Sequence, residues 1–165
     1  MADIPFRIGI GYDIHRFGGG RPLVLGGVVI PDAAGLQGHS DADVLLHAAM
    51  DALLGAAGLP DIGHYFPNTD PQYRDISSVC LLRDVAQQIT NAGFVVGNLD
   101  VALIAQRPRV AEYIPAMKAE IAATLEITAS RVGIKATTNE QLGALGRGEG
   151  IAALATALLV MRPVP

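Results

Sequence analysis

The sequence predicts an α/β protein, more closely an α+β sandwich, on three observations. Aliphatic runs of strand character recur at 6–14, 23–30, 94–106 and 132–138. Between them lie segments of helical period at 40–55, 77–93 and 110–127. Finally, the 165 residues are 50% hydrophobic but only 5% aromatic, with no Trp. One core built from Val, Ile, Leu and Ala is what such a chain can bury, and a single domain over 1–165 is expected.

FRIGIGYDI (6–14) partly alternates and reads as a strand. GGGRP (18–22) is expected to turn the chain and LVLGGVVI (23–30) to return it, with Gly26 and Gly27 marking a bulge or bend. PDAAGLQG (31–38) reads as loop. A helix is expected from Ser40 through SDADVLLHAAMDALLG, with Ser40 as N-cap and Asp43 completing an acidic capping box. Apolar residues at 46, 49, 50, 53 and 54 give it a core face, and Gly55 or Gly58 ends it.

LPDIGHYFPNTDPQYRD (59–75) is a loop with three prolines, of a length usually associated with function. SSVCLLRDVAQQITNAG (77–93) is an amphipathic helix closed at Asn91-Ala92-Gly93, and FVVGNLDVALIAQ (94–106) a strand or strand pair. VAEYIPAMKAEIAATLEI (110–127) is helical with Pro115 near its first turn. VGIKATT (132–138) is a strand leading into a short helical turn at Thr138. The final run, IAALATALLVM (151–161), is ambiguous: its alanines favour helix, while apolar character on both faces fits a buried strand.

Composition narrows the function. Net charge is −4 and the pI about 5.4, with no basic run, which argues against nucleic acid as a partner. Mean hydropathy is +0.36, yet the longest apolar stretch is too short to span a bilayer. MADIPFRIGI lacks the features of a signal peptide, and one cysteine, Cys80, rules out a disulfide framework. A soluble intracellular domain is expected, in the cytoplasm or, in a plant, the plastid stroma. The richness in Ala and Leu also suits burial against copies of the same chain.

Three polar groups stand out. Asp13 and His15 lie two apart near the end of a strand, so they share a face, and His47 lies in mid-helix. Two imidazoles and a carboxylate suit a catalytic zinc with an open fourth position. Equally, His47 reads as a hydrogen-bonded core histidine and Asp13 as a strand end. Asp43 and Asp51, four residues either side of His47, are candidates to bond its non-ligating nitrogen. His39 and Ser40 at a helix N-terminus could bind an anion, or Ser40 could simply cap. In KATTNEQLG (135–143), Thr138 and Gln141 form a T-x-x-Q box. Thr137, Thr138 and Lys135 could hold a phosphate, with Glu140 beside it pointing to an intervening Mg²⁺; equally, the stretch reads as an ordinary capped helix. AQRPR (105–109) and GRGEG (146–150) are weaker signals.

These stretches occur together. G-Y-D-I-H, then GHSDADVLLHAAMDALLG, then D-I-G-x-x-F-P-N-T-D-P, then K-A-T-T-N-E-x-L-G-x-x-G-R-G-E-G-I-A closely resemble the 2-C-methyl-D-erythritol 2,4-cyclodiphosphate synthase family, from Phe6 to about Met161. The resemblance implies an enzyme that closes 4-diphosphocytidyl-2-C-methyl-D-erythritol 2-phosphate into a cyclic diphosphate with release of CMP. It implies Zn²⁺ at Asp13, His15 and His47, and Mg²⁺ or Mn²⁺ at Glu140, bridging the α- and β-phosphates. His39 and Thr138 match transition-state-stabilising positions, and Ser40 lends its backbone to a substrate phosphate. Asp61, Ile62 and Gly63, with Phe66, Pro67, Asn68, Thr69 and Asp70, match the part that holds the methylerythritol unit. Ala105, Gln106, Arg107, Pro108 and Arg109, with Thr137 and Asn139, match the cytidine-diphosphate pocket.

The resemblance also implies a mixed four- to five-stranded sheet with helices on one face. Three such sheets would pack around the axis of a homotrimer, with active sites shared between subunits, and the final segment becomes a strand. The apolar channel on that axis is expected to take a prenyl diphosphate in some relatives, with Arg147 at its head group. Asn68 replaces an expected acid and Ala144, near the phosphates, an expected phenylalanine. Two readings of other classes are an inactive prenyl-diphosphate scaffold and a nucleotide-diphosphate hydrolase.

Overall fold

A computed structural model describes residues 4–162. The ends of the expected 1–165 domain, including the first three residues of MADIPFRIGI, lie outside the described residues. Five strands form one sheet: β1 (Phe6–Leu25), β2 (Val28–Leu36), β3 (Phe94–Ile104), β4 (Val132–Thr137) and β5 (Gly150–Met161), in the order β2-β1-β5-β3-β4. The helices are α1 (Val44–Ala57), α2 (Ile62–Tyr65), α3 (Ser78–Asn91), α4 (Ile114–Thr124) and α5 (Gly143–Gly146). The sheet is mixed, because β3 and β4 run parallel while the other pairs are antiparallel. This is an α+β fold.

The strand count differs from the expected four to five. β1 serves as two strands: Phe6–Arg16 pairs with β5, and Phe17–Leu25 pairs with β2, which makes six strand segments. GGGRP does not turn the chain back. It sits inside β1 as an irregularity between two ladders, with register shifts around Pro22. The reversal comes at Gly26 and Gly27, both in the left-handed region at φ 59° and 77°, where glycine alone is unstrained. PDAAGLQG, expected as loop, mostly continues β2.

Two helix starts also differ. α1 opens at Val44 rather than at Ser40, because Ala42 has φ 60° and cannot be helical. Its cap is Asp43, whose carboxylate accepts from the Leu46 N–H and also ties down Gly26 and Gly27. No helix opens at Thr138. Glu140 and Gln141 both have positive φ, so the expected capping box is absent and α5 begins only at Gly143. The ambiguous last segment is β5, in the middle of the sheet, where its alternating alanines are buried.

On β1 the odd-numbered residues Gly9, Gly11, Asp13 and His15 face α1. Ile8, Ile10 and Tyr12 face away and are 70%, 67% and 57% exposed. The helices thus cover one face of the sheet. α1 lies directly on β1, and a Cβ at Gly11 would land on the Ala48 carbonyl and one at Gly9 on that of Ala52. Bare glycine backbone is what lets the helix approach so closely. Ala48, Ala49, Ala52 and Ala56 keep α1 thin, while Leu45, Leu46, Met50, Leu53 and Leu54 fill the core, all fully buried.

Gly11→Ala therefore forces backbone against backbone. Unfolding by urea should show a loss of about 3 kcal/mol, at the upper end for overpacking, because no flexible side chain can yield. A variant as stable as the parent would show that α1 tolerates a shift away from β1.

Candidate metal centre and substrate pocket

The α1–β1 contact brings His47 over the end of the first β1 ladder. Asp13 Oδ2 lies 2.9 Å from both His15 Nε2 and His47 Nδ1, and the two nitrogens are 3.2 Å apart. All three donor atoms lie within 4.8 Å of one another, a set that could hold a metal ion. Two nitrogens and one carboxylate oxygen converging on one point, with the pocket open on the remaining side, is the donor chemistry zinc takes in catalytic sites.

The far side of each imidazole is also occupied. His15 Nδ1 is 2.5 Å from the Gln37 carbonyl oxygen, which can only accept, so Nδ1 carries the proton and Nε2 is free to ligate. His47 Nε2 is 3.1 Å from both Ser40 Oγ and Ser78 Oγ. Ser78 in turn donates its hydroxyl (2.5 Å) and its backbone N–H (2.9 Å) to the carboxylate of Asp41.

The partners expected for His47 are thus replaced. Asp43 is buried as the cap of α1, and Asp51 accepts from the Ile62 N–H, which fixes the start of α2. Burial pushes the Asp43 carboxyl up to about 6 against its three backbone N–H bonds. That carboxyl group also caps the α1 N-terminus through the Leu46 N–H. Ser40 does not cap: its hydroxyl meets His47 and accepts from the Ala42 N–H.

A pocket of about 430 Å³ opens on the triad. His39, Ser40, Ile62, Gly63, Phe66, Pro67 and Asn68 line it, as do Tyr73 and Leu81, which sequence reasoning missed. His39 donates from Nε2 to the Asp70 carbonyl (2.9 Å), and Asp61 caps α2 through the His64 N–H. Arg21 donates to the carbonyls of Gly38 and Ser40 and pairs with Asp75 at 3.2 Å, holding the His39–Ser40 segment in place. Thr69 lies in the same loop but does not line the pocket.

The remaining candidates gather elsewhere. Ala105 N–H bonds the Thr137 carbonyl (2.9 Å), so the 105–109 loop and the end of β4 form a second cluster. Thr138 donates to the Glu140 carboxylate at 2.8 Å, and the Gln106 amide oxygen is buried without a partner among the described residues. The Arg107–Pro108 peptide is cis, and both residues line a separate cavity with Phe17 and Asp32. Ala144 borders a small recess beside His15, and Arg147 pairs with Glu149 at 2.7 Å. Asn139 donates to the Leu142 carbonyl, and Arg109 is exposed. None of this second group lines the triad pocket.

Comparison with known proteins matches residues 6–160 to the YgbB family. The chain belongs to this family. Relatives from Synechococcus elongatus and Burkholderia mallei, each 57% identical over 155 residues, cover 94% of this chain and 97% and 96% of their own; both are named 2-C-methyl-D-erythritol 2,4-cyclodiphosphate synthase. Such identity along the chain makes this YgbB member a lyase-type enzyme of the same kind. Among solved structures, a bifunctional IspDF from Campylobacter jejuni superposes with a TM-score of 0.91 at 43% identity. That match covers 94% of this chain and 42% of the longer bifunctional one. A Plasmodium falciparum IspF in complex with CDP superposes at 0.84 and 33% identity, over 98% of this chain and 99% of its own.

Burial pushes the Asp13 carboxyl up, but hydrogen bonds from His15 and His47 and their charges outweigh it and hold it well below the ordinary carboxylate range. Burial likewise pulls His15 down, yet Asp13 and the Gln37 carbonyl raise it above 6.5 overall. A raised histidine contributes stability fully present below its unfolded value and lost as pH rises through the folded one. The metal-free protein should therefore melt at lower temperature at about pH 8 than at about pH 6.5, while zinc-loaded protein, with His15 already deprotonated, should not. Parallel melting curves for the two forms would contradict the shared site.

Proposed function

We propose that this enzyme converts 4-diphosphocytidyl-2-C-methyl-D-erythritol 2-phosphate to 2-C-methyl-D-erythritol 2,4-cyclodiphosphate and CMP, in isoprenoid precursor biosynthesis. The observation that supports it most is the Asp13/His15/His47 cluster opening into a pocket walled by His39, Ser40 and the 62–68 segment. In the reaction an oxygen of the 2-phosphate forms a bond to the β-phosphorus. The bond from that phosphorus to the oxygen bridging to the α-phosphorus breaks, and CMP leaves with the electron pair. The substrate brings its own anionic nucleophile, so the protein has to fold it for in-line attack and offset crowded negative charge.

Each group of residues has a part in that task. Asp13, His15 and His47 would hold Zn²⁺ and Glu140 Mg²⁺ or Mn²⁺, which when bound supply Lewis-acid charge to the phosphate oxygens. His39, kept in place by the Asp70 carbonyl, and Thr138 stabilise charge that develops on the phosphates. The Ser40 backbone, clamped by Arg21, meets a phosphate. Asp61, Ile62, Gly63 and the loop from Phe66 to Asp70 hold the methylerythritol unit. Ala105 to Arg109, with Thr137 and Asn139, take the cytidine diphosphate, where the unpaired Gln106 oxygen offers an acceptor. Asn68 offers an amide where an acid was expected, and Ala144 leaves the phosphate wall shallower.

The separation of the two clusters supports a homotrimer in which the cytidine-binding half of one copy completes the triad pocket of its neighbour. The exposed face of Ile8, Ile10, Tyr12 and Ile14 is the surface that three sheets would bury around a central channel. That channel would take a prenyl diphosphate, its head group on Arg147. The described residues contain no helix long and apolar enough to cross a membrane, and we place the single domain in the cytoplasm.

Purified protein should release CMP and cyclic diphosphate in equal amounts. Activity should vanish on chelation, return with zinc, and fall about 10²-fold or more in His15→Ala. CMP without cyclic product would overturn the reading in favour of a hydrolase. Native mass spectrometry should give three chains per particle, and a monomeric active enzyme would contradict the shared site.

A further inference from the structure

We propose that Ser78 and Asp41 are positioning residues that set the metal affinity of His47, through a proton arrangement read from the hydrogen bonds. The proposal rests on the metal-binding reading of the triad. With His47 Nδ1 directed at Asp13 and His15, its lone pair is available to a metal only if the ring proton sits on Nε2. A proton there needs an acceptor. Two hydroxyls lie at 3.1 Å, Ser40 and Ser78, and they are not equivalent.

Ser40 accepts from the Ala42 N–H, and its own proton has no assigned acceptor, so it could donate toward Nε2 as readily as accept from it. Ser78 has no such freedom. Its hydroxyl proton is committed to Asp41 at 2.5 Å, and its backbone N–H is held by the other oxygen of the same carboxylate at 2.9 Å. The Ser78 oxygen therefore faces His47 as an acceptor alone. The chain runs His47 Nε2–H to Ser78 Oγ, then Ser78 Oγ–H to the Asp41 carboxylate, and it sends lone-pair density toward Nδ1. His15 reaches the same end by a single bond to the Gln37 carbonyl.

Burial gives the arrangement its weight. Ser78 is fully buried and His47 is 8% exposed, so water does not substitute easily for either bond. Asp41 is fixed in turn by its own N–H to the Ile76 carbonyl and by accepting from the Asp43 N–H. Ser78 stands at the first position of α3 while Ser77 does the capping, so removing the Ser78 hydroxyl leaves the helix cap intact. Partners of this kind typically change metal affinity by 10- to 100-fold when lost.

The test is a competition titration of Zn²⁺ against a chromophoric chelator, on the full-length wild type, Ser78→Ala, Asp41→Asn and the double variant. Melting of each metal-free protein is recorded alongside. Ser78→Ala should weaken zinc binding about 10- to 100-fold while the metal-free protein still unfolds in one cooperative transition. Asp41→Asn should weaken it too, because an amide N–H directed at Ser78 turns the serine proton back toward Nε2. The double variant should be no weaker than the worse single one, since both act through one chain of bonds. Unchanged affinity in Ser78→Ala, or fully additive losses, would overturn the proposal. Should Ser78→Ala not fold, Asp41→Asn alone decides, as Asp41 is only partly buried and its exchange is isosteric. Wild type that binds zinc no better than His15→Ala would instead overturn the metal reading itself.

Discussion

The close approach of α1 to β1 is the constraint on which the rest of this structure depends. Gly9 and Gly11 expose bare backbone to the carbonyls of Ala52 and Ala48, and the next two residues on the same face of β1 are Asp13 and His15. One residue from Ala48 toward the helix N-terminus lies His47. The same period of two that seats the helix on glycine thus presents an acid and an imidazole beyond it, at the height where the helix offers a second imidazole. A strand carrying side chains at 9 and 11 would lift α1 and pull His47 away from its partners.

Around that contact the chain spends polar groups on positioning. Asp43 gathers the Gly26–Gly27 turn and the first turn of α1, and Asp51 fixes α2. Arg21 reaches across from β1 to hold the carbonyls flanking His39. Asp41 ties Ser78, and with it the start of α3, to the segment before α1. Four elements distant in sequence are locked to one another within the pocket wall. This is the preorganisation a reaction needs when the substrate already carries its nucleophile and only geometry and charge remain to be supplied.

Much of this could be read from the chain. The D-x-H spacing on a strand and a histidine on the following helix were local patterns, although His47 falls in the first turn of α1 rather than in mid-helix. Local patterns also placed α3, β4 and Pro115 in the first turn of α4. What sequence could not supply were choices decided by backbone conformation or by distant partners. Ala42 at φ 60° moved the helix start from Ser40 to Val44, and nothing in S-D-A-D marks an alanine for that role. GGGRP looks like a turn, yet pairing with β2 on one side keeps it inside a strand. The acids nearest His47 in helical spacing, Asp43 and Asp51, were taken by nearer N–H donors, leaving the imidazole to a serine 31 residues away. A serine in S-S-V-C carries no sign of that task until the fold brings it there.

The measurement that goes most directly to the central claim is anomalous diffraction at the zinc edge from crystals of the zinc-loaded protein. The account predicts one peak per chain, about 2 Å from Asp13 Oδ2, His15 Nε2 and His47 Nδ1, with α1 seated on Gly9 and Gly11 as described. Zinc bound elsewhere, or through the opposite imidazole nitrogens, would contradict it.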